Sequence, residues 1–104
     1  MEIVVTGRHE GVTREMREDA ARRIAKLQHV FERLTDAKVV LEANGSGCRA
    51  EASVHGPRGA TLVARAEAPD MKAALDDLEH RLLTRLRKLK TRLVDRRGPG
   101  RGAA

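Results

Sequence analysis

The stretch CRAEASVHGPRGATLVARAE, residues 48–67, decides the fold class. Small or apolar residues alternate with polar ones over residues 48–55, and the alternation returns over residues 61–67. A period of two is typical of strands that have one buried face and one face in water. Residues 56–59, Gly-Pro-Arg-Gly, have the composition and length of a hairpin turn. We therefore predict two antiparallel strands in a sheet that is covered on one face.

Two further strand patterns precede this hairpin. Residues 38–44 alternate in the same way and lead into a Gly-Ser-Gly turn at residues 45–47. Residues 2–6 form a shorter alternating segment, and we expect Gly7 to end it. The sheet is therefore predicted to have four strands.

A first helix is predicted between the first two strands. Thr13 is a suitable N-cap, but Met16 stands where a reciprocal capping box prefers Glu or Gln, so we expect a partial cap. Apolar residues then recur every three or four positions, which indicates an amphipathic helix of about six turns. This core stripe consists of Met16, Ala20, Ile24, Leu27, Phe31 and Leu34. Its place in the stripe makes Phe31 a predicted core residue.

A second helix is predicted to begin after Pro69 and Asp70, with Asp70 as N-cap, and to run to about Asp95. Its core stripe consists of Met71, Leu75, Leu78, Leu82, Leu86, Leu89 and Leu93. The element order β-α-β-β-β-α predicts an α+β fold, a two-layer sandwich with both helices on one face of a four-stranded sheet. The first two strands would be parallel through a βαβ crossover. We expect one domain over residues 1–97 and a flexible, Gly-rich tail over residues 98–104.

The positive charge belongs to the second helix. The chain has a formal net charge of +6, while residues 80–97 alone hold eight Lys/Arg and one acid. On a helix, one row of these cations lies about a quarter turn from the core stripe. The row consists of Arg81, Arg85, Lys88 and Arg92. A similar flank of the first helix carries Arg22, Arg23, Lys26 and Arg33. We hypothesise that the two rows border one channel for nucleic acid, the alternative being ordinary solvated helix faces.

Composition excludes several other kinds of site. The chain has one Phe, no Tyr and no Trp, so recognition of nucleic acid must use phosphates and shape instead of base stacking. The four His show no ligand spacing, and the single Cys48 builds neither a disulfide nor a zinc site. We expect Cys48 to be a buried, small apolar residue in a cytosolic protein. The sequence predicts no enzyme, no metal, no cofactor, no small-molecule substrate and no membrane segment.

Several short motifs, taken in order, resemble one known family. They are Thr6-Gly7-Arg8-His9, Val12-Thr13, Arg17, Lys26-Leu27 with Phe31, Asp70-Met71-x-Ala73-Ala74-Leu75-Asp76, and Lys88-x-Lys90. The chain resembles the short ribosome hibernation promoting factors, which include the ribosome-associated inhibitor proteins. The resemblance runs from Met1 to about Arg97. It departs from the family pattern at Lys72, Arg85 and Leu89.

The resemblance implies a β-α-β-β-β-α fold and a bacterial stress or stationary-phase protein. Such a protein binds the small ribosomal subunit in the channel of messenger and transfer RNA, and blocks translation by occlusion without chemistry. Contacts to ribosomal RNA implied by the family are Arg23, Lys26, Arg81, Lys88, Lys90 and Arg92. The helix flanks add Arg22, Arg33 and Arg85 as expected contacts.

Two other functions stay open from the sequence. The leucine stripe of the second helix, with Leu83 beside it, would suit a helix-mediated protein–protein module. A general binder of structured RNA is the other alternative. We expect the free protein to be a monomer, whereas a stable dimer without RNA would favour the protein–protein module.

Overall fold

The computed structural model describes residues 1–97, with side chains described up to residue 93. The predicted tail over residues 98–104 lies outside the described residues. The elements are β1 Glu2–Arg8, α1 Arg14–Ala25, α2 Leu27–Val30, β2 Asp36–Asn44, β3 Gly47–His55, β4 Thr61–Ala68 and α3 Met71–Arg97. Within the described residues, no helix combines the length and hydrophobicity needed to cross a membrane.

The four strands form one sheet in the order β1-β2-β3-β4. β1 and β2 are parallel, whereas β2–β3 and β3–β4 are antiparallel hairpins. The predicted architecture and strand directions are therefore confirmed. Gly7 does not end β1, because it pairs with Leu41 and the strand continues to Arg8. A Cβ at Gly7 would lie 2.7 Å from Val12 Cγ1, so glycine lets the following loop close over the strand.

The core lies between the helices and one face of the sheet. That face is built mainly from small residues, including Ala50, Ala52, Ala64 and Ala66, which let the helices approach closely. Larger side chains come from the helices, and in α3 the predicted stripe is buried from Met71 to Leu89. Leu93 is half-buried. Each fully buried Leu contributes about 1.5–3 kcal/mol relative to an exposed one. This leucine stripe therefore fixes the rotation of α3, and with it the direction of every charge on the helix.

The first helix is shorter than its apolar period predicts. α1 ends at Ala25, α2 forms a single turn, and Phe31 is extended with φ −144° and ψ 102°. The six-turn prediction is wrong because Phe31 and Leu34 reach the same core from a loop. Gln28 stabilises that loop, since its side-chain amide donates to the carbonyls of Glu32 and Leu34 at 3.2 and 3.1 Å. Phe31 is 9% exposed, which confirms it as a core residue.

Side-chain caps begin both long helices. The amide of Met16 donates to Thr13 Oγ1 at 3.2 Å, and Met16 Sδ accepts from the Thr13 amide at 3.5 Å. The capping box that was predicted to be partial is thus reciprocal, with a thioether as a weak second acceptor. For α3, Asp70 Oδ1 accepts from the Ala73 amide at 2.8 Å, which confirms Asp70 as N-cap.

Candidate nucleic-acid interface

The predicted cation row of α3 lies on the flank that faces β4, which is one of the two edge strands of the sheet. Its members, Arg81, Arg85, Lys88 and Arg92, are all exposed. Arg85, Lys88 and Arg92 form one wall of an open groove of about 500 Å³, and Thr61, Leu62 and Val63 of β4 form the other. We call this space the β4–α3 groove. It brings three cations together beside an edge strand.

The four cations of the α3 row differ in whether they form hydrogen bonds or ion pairs within the protein. Within the described residues, Lys88 and Arg92 have no ion pair and no side-chain hydrogen bond. Arg85 Nη1 donates to the carbonyl of Val63, which holds its guanidinium over the edge of β4. Arg81 makes a surface pair with Asp77 at 3.0 Å. Exposed pairs of this kind contribute about 0–1 kcal/mol, so Arg81 can exchange Asp77 for a phosphate at little cost.

The opposite flank of α3 meets α1 and has a different character. Arg23 of α1 is only 14% exposed, and Nη1 lies 2.5 Å from Asp76 Oδ1 and 3.1 Å from Glu79 Oε1. Its Nε lies 3.2 Å from Asp19 Oδ2 on its own helix. Partial burial works against the charge of Arg23, but the hydrogen bond to Asp76 and the charge of Asp19 outweigh it. The pKa of Arg23 is therefore raised above its ordinary value. We call this cluster of four side chains the α1–α3 seam.

The hypothesis that two basic rows border one channel is wrong. The row of α3 faces β4, while Asp76 and Glu79 occupy the flank that meets α1. The α1–α3 seam is therefore an ion-pair network and not a basic groove. A helical projection of the sequence indicates this arrangement, because Asp76 and Glu79 project about half a turn away from the Arg81 row.

The other predicted contact residues are divided between solvent and the protein itself. Arg33 is exposed, without an ion pair in the described residues. Arg22 pairs with Asp19 at 3.0 Å and stays exposed, and Lys26 is 3.9 Å from Glu79. Lys90 Nζ donates to the carbonyl of Val30 at 2.8 Å, which ties α3 to the end of α2. The nine predicted cations therefore lie on two separate sides of α3. The four cations of the α3 row face β4, and the other five lie on the side of α1 and α2.

The outer face of the sheet carries cross-strand ion pairs. Glu42 lies 3.7 Å from both Arg8 and Arg49, and Arg49 lies 3.1 Å from Glu67. Opposite charges in neighbouring strands neutralise each other across this face. It therefore offers a polyanion no row of cations comparable to that of α3.

The remaining candidate groups point to no reaction. Cys48 is half-buried instead of fully buried, because it stands near the end of the sheet, at the start of β3. Burial and the nearby charge of Asp70 raise the pKa of its thiol, which disfavours the reactive thiolate. Among the side chains that the structure describes, residues 1–93, no cluster of His, Cys, Asp or Glu is suited to a metal ion. Leu83 is half-buried and packs against the core, which weakens the case for a protein–protein helix.

The fold and its basic helix agree with one family of proteins. A family model described as Sigma 54 modulation protein / S30EA ribosomal protein matches residues 3–94, and the chain therefore belongs to this family. The ribosome hibernation promoting factor of Escherichia coli (strain K12) is 33% identical over 93 residues, which are 89% of this chain and 97% of the relative. That of Azotobacter vinelandii is 32% identical over 96 residues, 92% of this chain and 89% of the relative. The predicted resemblance to hibernation factors is confirmed.

Solved structures with the same fold extend this relationship. A ribosomal subunit interface protein from Coxiella burnetii superposes with a TM-score of 0.77 at 28% identity, over 88% of this chain and 99% of that one. The N-terminal domain of Protein Y from Thermus thermophilus superposes with a TM-score of 0.74 at 31% identity, over 86% and 99% of the two chains.

Proposed function

We propose that this protein is a ribosome hibernation factor of the bacterial cytoplasm, active in stress or stationary phase. It binds the small ribosomal subunit through ribosomal RNA and occupies the path of messenger and transfer RNA. Translation is silenced by occlusion, without catalysis and without a cofactor. The free protein is a monomer.

One observation carries this proposal beyond family membership. The exposed flank of α3 presents four cations at helical spacing, next to the open β4–α3 groove. From Arg81 to Arg92 the row is about 16 Å long at 1.5 Å per residue. A rigid row of this kind suits a repeating phosphate backbone, and its positive field accelerates encounter with a polyanion. The outer sheet face has no comparable row, so RNA should approach from the helical side.

The proposed RNA surface consists of the cations whose head groups remain accessible. On α3 these are Arg81, Arg85, Lys88 and Arg92, and on the α1 side they are Arg22, Lys26 and Arg33. With no Tyr or Trp in the chain and Phe31 in the core, contacts to phosphate and to RNA shape must dominate. Specificity for the ribosome then comes from the shape of the folded RNA.

Co-sedimentation with purified small subunits over a series of salt concentrations tests this proposal. Each phosphate contact contributes about −0.7 to −0.9 to the slope of log K against log salt, so six to eight contacts predict a slope of about −4 to −7. A protein that stays in the supernatant at low salt would contradict the proposal. Plain duplex RNA added as competitor gives a second arm. If duplex RNA displaces the subunits at equal phosphate concentration, the protein is a general binder of structured RNA.

A further inference from the structure

Arg23 is exceptional among the nine cations predicted to contact RNA. Its guanidinium contacts three carboxylates on two helices, whereas in the described residues its neighbour Arg22 pairs with Asp19 alone. The side chain of Arg23 is 14% exposed and that of Arg22 is 68% exposed. Two partners of Arg23, Asp76 and Glu79, are more than fifty residues away in sequence. Its Nε and Nη1 groups are therefore occupied inside the protein.

The fork of the guanidinium explains why arginine stands at this position. Nε faces Asp19 within α1, and Nη1 faces both Asp76 and Glu79 on α3. Planar donors of fixed geometry hold several carboxylates at once, which the single ammonium of a lysine does less well. Without this cation, three carboxylates would face each other across the seam. The charge of Arg23 is thus required where it stands.

A second contact joins α3 to α2, the element that follows α1 in the chain. Lys90 of α3 donates to the carbonyl of Val30, the last residue of α2. A cation is favoured at a helix C-terminus because the final carbonyls lack partners. Arg23 and Lys90 thus attach α1 and α2 to the same flank of α3. That attachment determines where Lys26 and Arg33 stand relative to the α3 cations.

We propose that Arg23 is a positioning residue, which holds α1 against α3 and makes no contact with RNA itself. This inference rests on the proposed function, because what it positions is the α1 part of the RNA surface. Family resemblance alone would assign Arg23 to RNA. A pre-assembled surface binds better than one that must be ordered during binding. Arg23 contributes to affinity in this indirect way.

Three variants of the full chain test the proposal, namely Arg23→Gln, Arg23→Lys and the matched control Arg22→Gln. We expect Arg23→Gln to lower the Tm by about 4–8 °C, because the three carboxylates lose the cation that they share. Its affinity for small subunits should fall several-fold at 25 °C with an unchanged salt slope, since the number of phosphate contacts is the same. Arg22→Gln should leave the Tm unchanged and reduce the slope by about 0.7–0.9.

Arg23→Lys separates positioning from direct contact. Lysine keeps the charge and would preserve a phosphate contact, but it cannot join three carboxylates as the fork does. We expect Arg23→Lys to keep a reduced Tm and reduced affinity with the wild-type slope. The proposal is overturned if Arg23→Gln reduces the slope as Arg22→Gln does, if Lys restores full affinity, or if the Tm falls while affinity is unchanged. Wild-type protein that fails to pellet with subunits would instead overturn the proposed function, and the Tm values would still report on the seam.

Discussion

The two sides of α3 meet the same types of cation, and these cations are used in opposite ways. On the β4 side, Lys88 and Arg92 have no partner in the described part of the chain, and they stand over an open groove. On the α1 side, Arg23 and Lys90 are bound to carboxylates and to a backbone carbonyl. The sign of a side chain therefore does not decide its role. The partners within the fold decide whether a cation remains available for RNA.

The difference between the flanks follows from where the acids lie. Asp76 and Glu79 face α1, so cations that meet them are neutralised. Only Asp77 pairs with the β4-facing row in the described residues, and it does so near the beginning of the row. Beyond that pair, the C-terminal half of the row keeps its charge. Within the β4-facing row, the charge that has no partner in the described residues therefore lies towards the C-terminal end.

The largest expected effect comes from the leucine stripe between the two flanks. Leu82 is fully buried, whereas Leu83 is half-buried. Leu82→Ala should lower the free energy of unfolding by about 2–5 kcal/mol, because it leaves a cavity where α3 meets the sheet. Urea unfolding measures this loss. Leu83→Ala is the control and should cost clearly less, and equal losses would mean that the stripe does not fix the rotation of α3.

Charge reversal on the β4 side should have the next largest effect. Lys88→Glu combined with Arg92→Glu should weaken binding to small subunits about 100-fold, which is about 2.7 kcal/mol. The unfolding curve should stay unchanged, because neither head group has a partner to lose in the described residues. Co-sedimentation at fixed salt measures the affinity.

The matched control for that double reversal is Lys38→Glu with Lys72→Glu. Both lysines are exposed, one on the outer sheet face and one in the first turn of α3. This control changes the net charge equally but should change affinity far less. If the two double variants bind equally weakly, only the net charge matters and the β4–α3 groove has no special role.

A smaller effect distinguishes two lysines that stand two positions apart on opposite flanks. Lys90→Met should lower the free energy of unfolding by about 0.5–1 kcal/mol, because the Val30 carbonyl loses its charged donor. The salt slope should not change. Lys88→Met should do the reverse, with unchanged stability and a slope reduced by about 0.7–0.9. If both variants reduce the slope, Lys90 contacts RNA as Lys88 does, and its bond to Val30 does not withdraw it from RNA.

The fold could be predicted because its determinants are local patterns. Alternation over residues 2–6, 38–44 and 48–67, with the apolar stripes of the two helices, was sufficient for element type, order and strand direction. The end of α1 was missed because Phe31 and Leu34 continue the apolar period from a loop. Hydrogen bonds from the Gln28 side chain to the backbone carbonyls of Glu32 and Leu34 stabilise that loop. Such bonds leave no periodic trace in the sequence.

The candidate site could be predicted only as a set of cations. Helical spacing placed Arg81, Arg85, Lys88 and Arg92 on one flank, and the structure keeps them together. Which flank meets α1 depends on how the helices dock on the sheet, and the docking decides that Arg23 and Lys90 are occupied. Partnership between residues more than fifty positions apart is a tertiary property. Such a partnership cannot be predicted from residue type and local spacing.

The smallest expected effect concerns the hydrogen-bonded side chains of Asp36 and His55, which lie away from both flanks of α3. His55 Nδ1 lies 2.9 Å from Asp36 Oδ2 across β2 and β3, and Thr35 Oγ1 donates to Asp36 Oδ1 at 2.9 Å. The hydrogen bond to His55, and after it the one from Thr35, hold the pKa of Asp36 below its ordinary value. A lowered pKa in the folded state stabilises the protein above the ordinary aspartate range, and this contribution is lost as pH falls through the folded value.

Asp36→Asn should therefore reduce the Tm slightly at pH 6, and the difference from wild type should shrink below about pH 4. Thermal unfolding over a pH series measures this convergence, with Glu2→Gln on the neighbouring strand as control. Affinity for small subunits at neutral pH should be unchanged, because Asp36 lies on the sheet and contacts neither helix flank. A Tm difference that grows at low pH would show that the carboxylate of Asp36 is not stabilised by its partners. A loss of affinity would show that RNA binding reaches the sheet, and that the contrast between the flanks of α3 is not the whole basis of recognition.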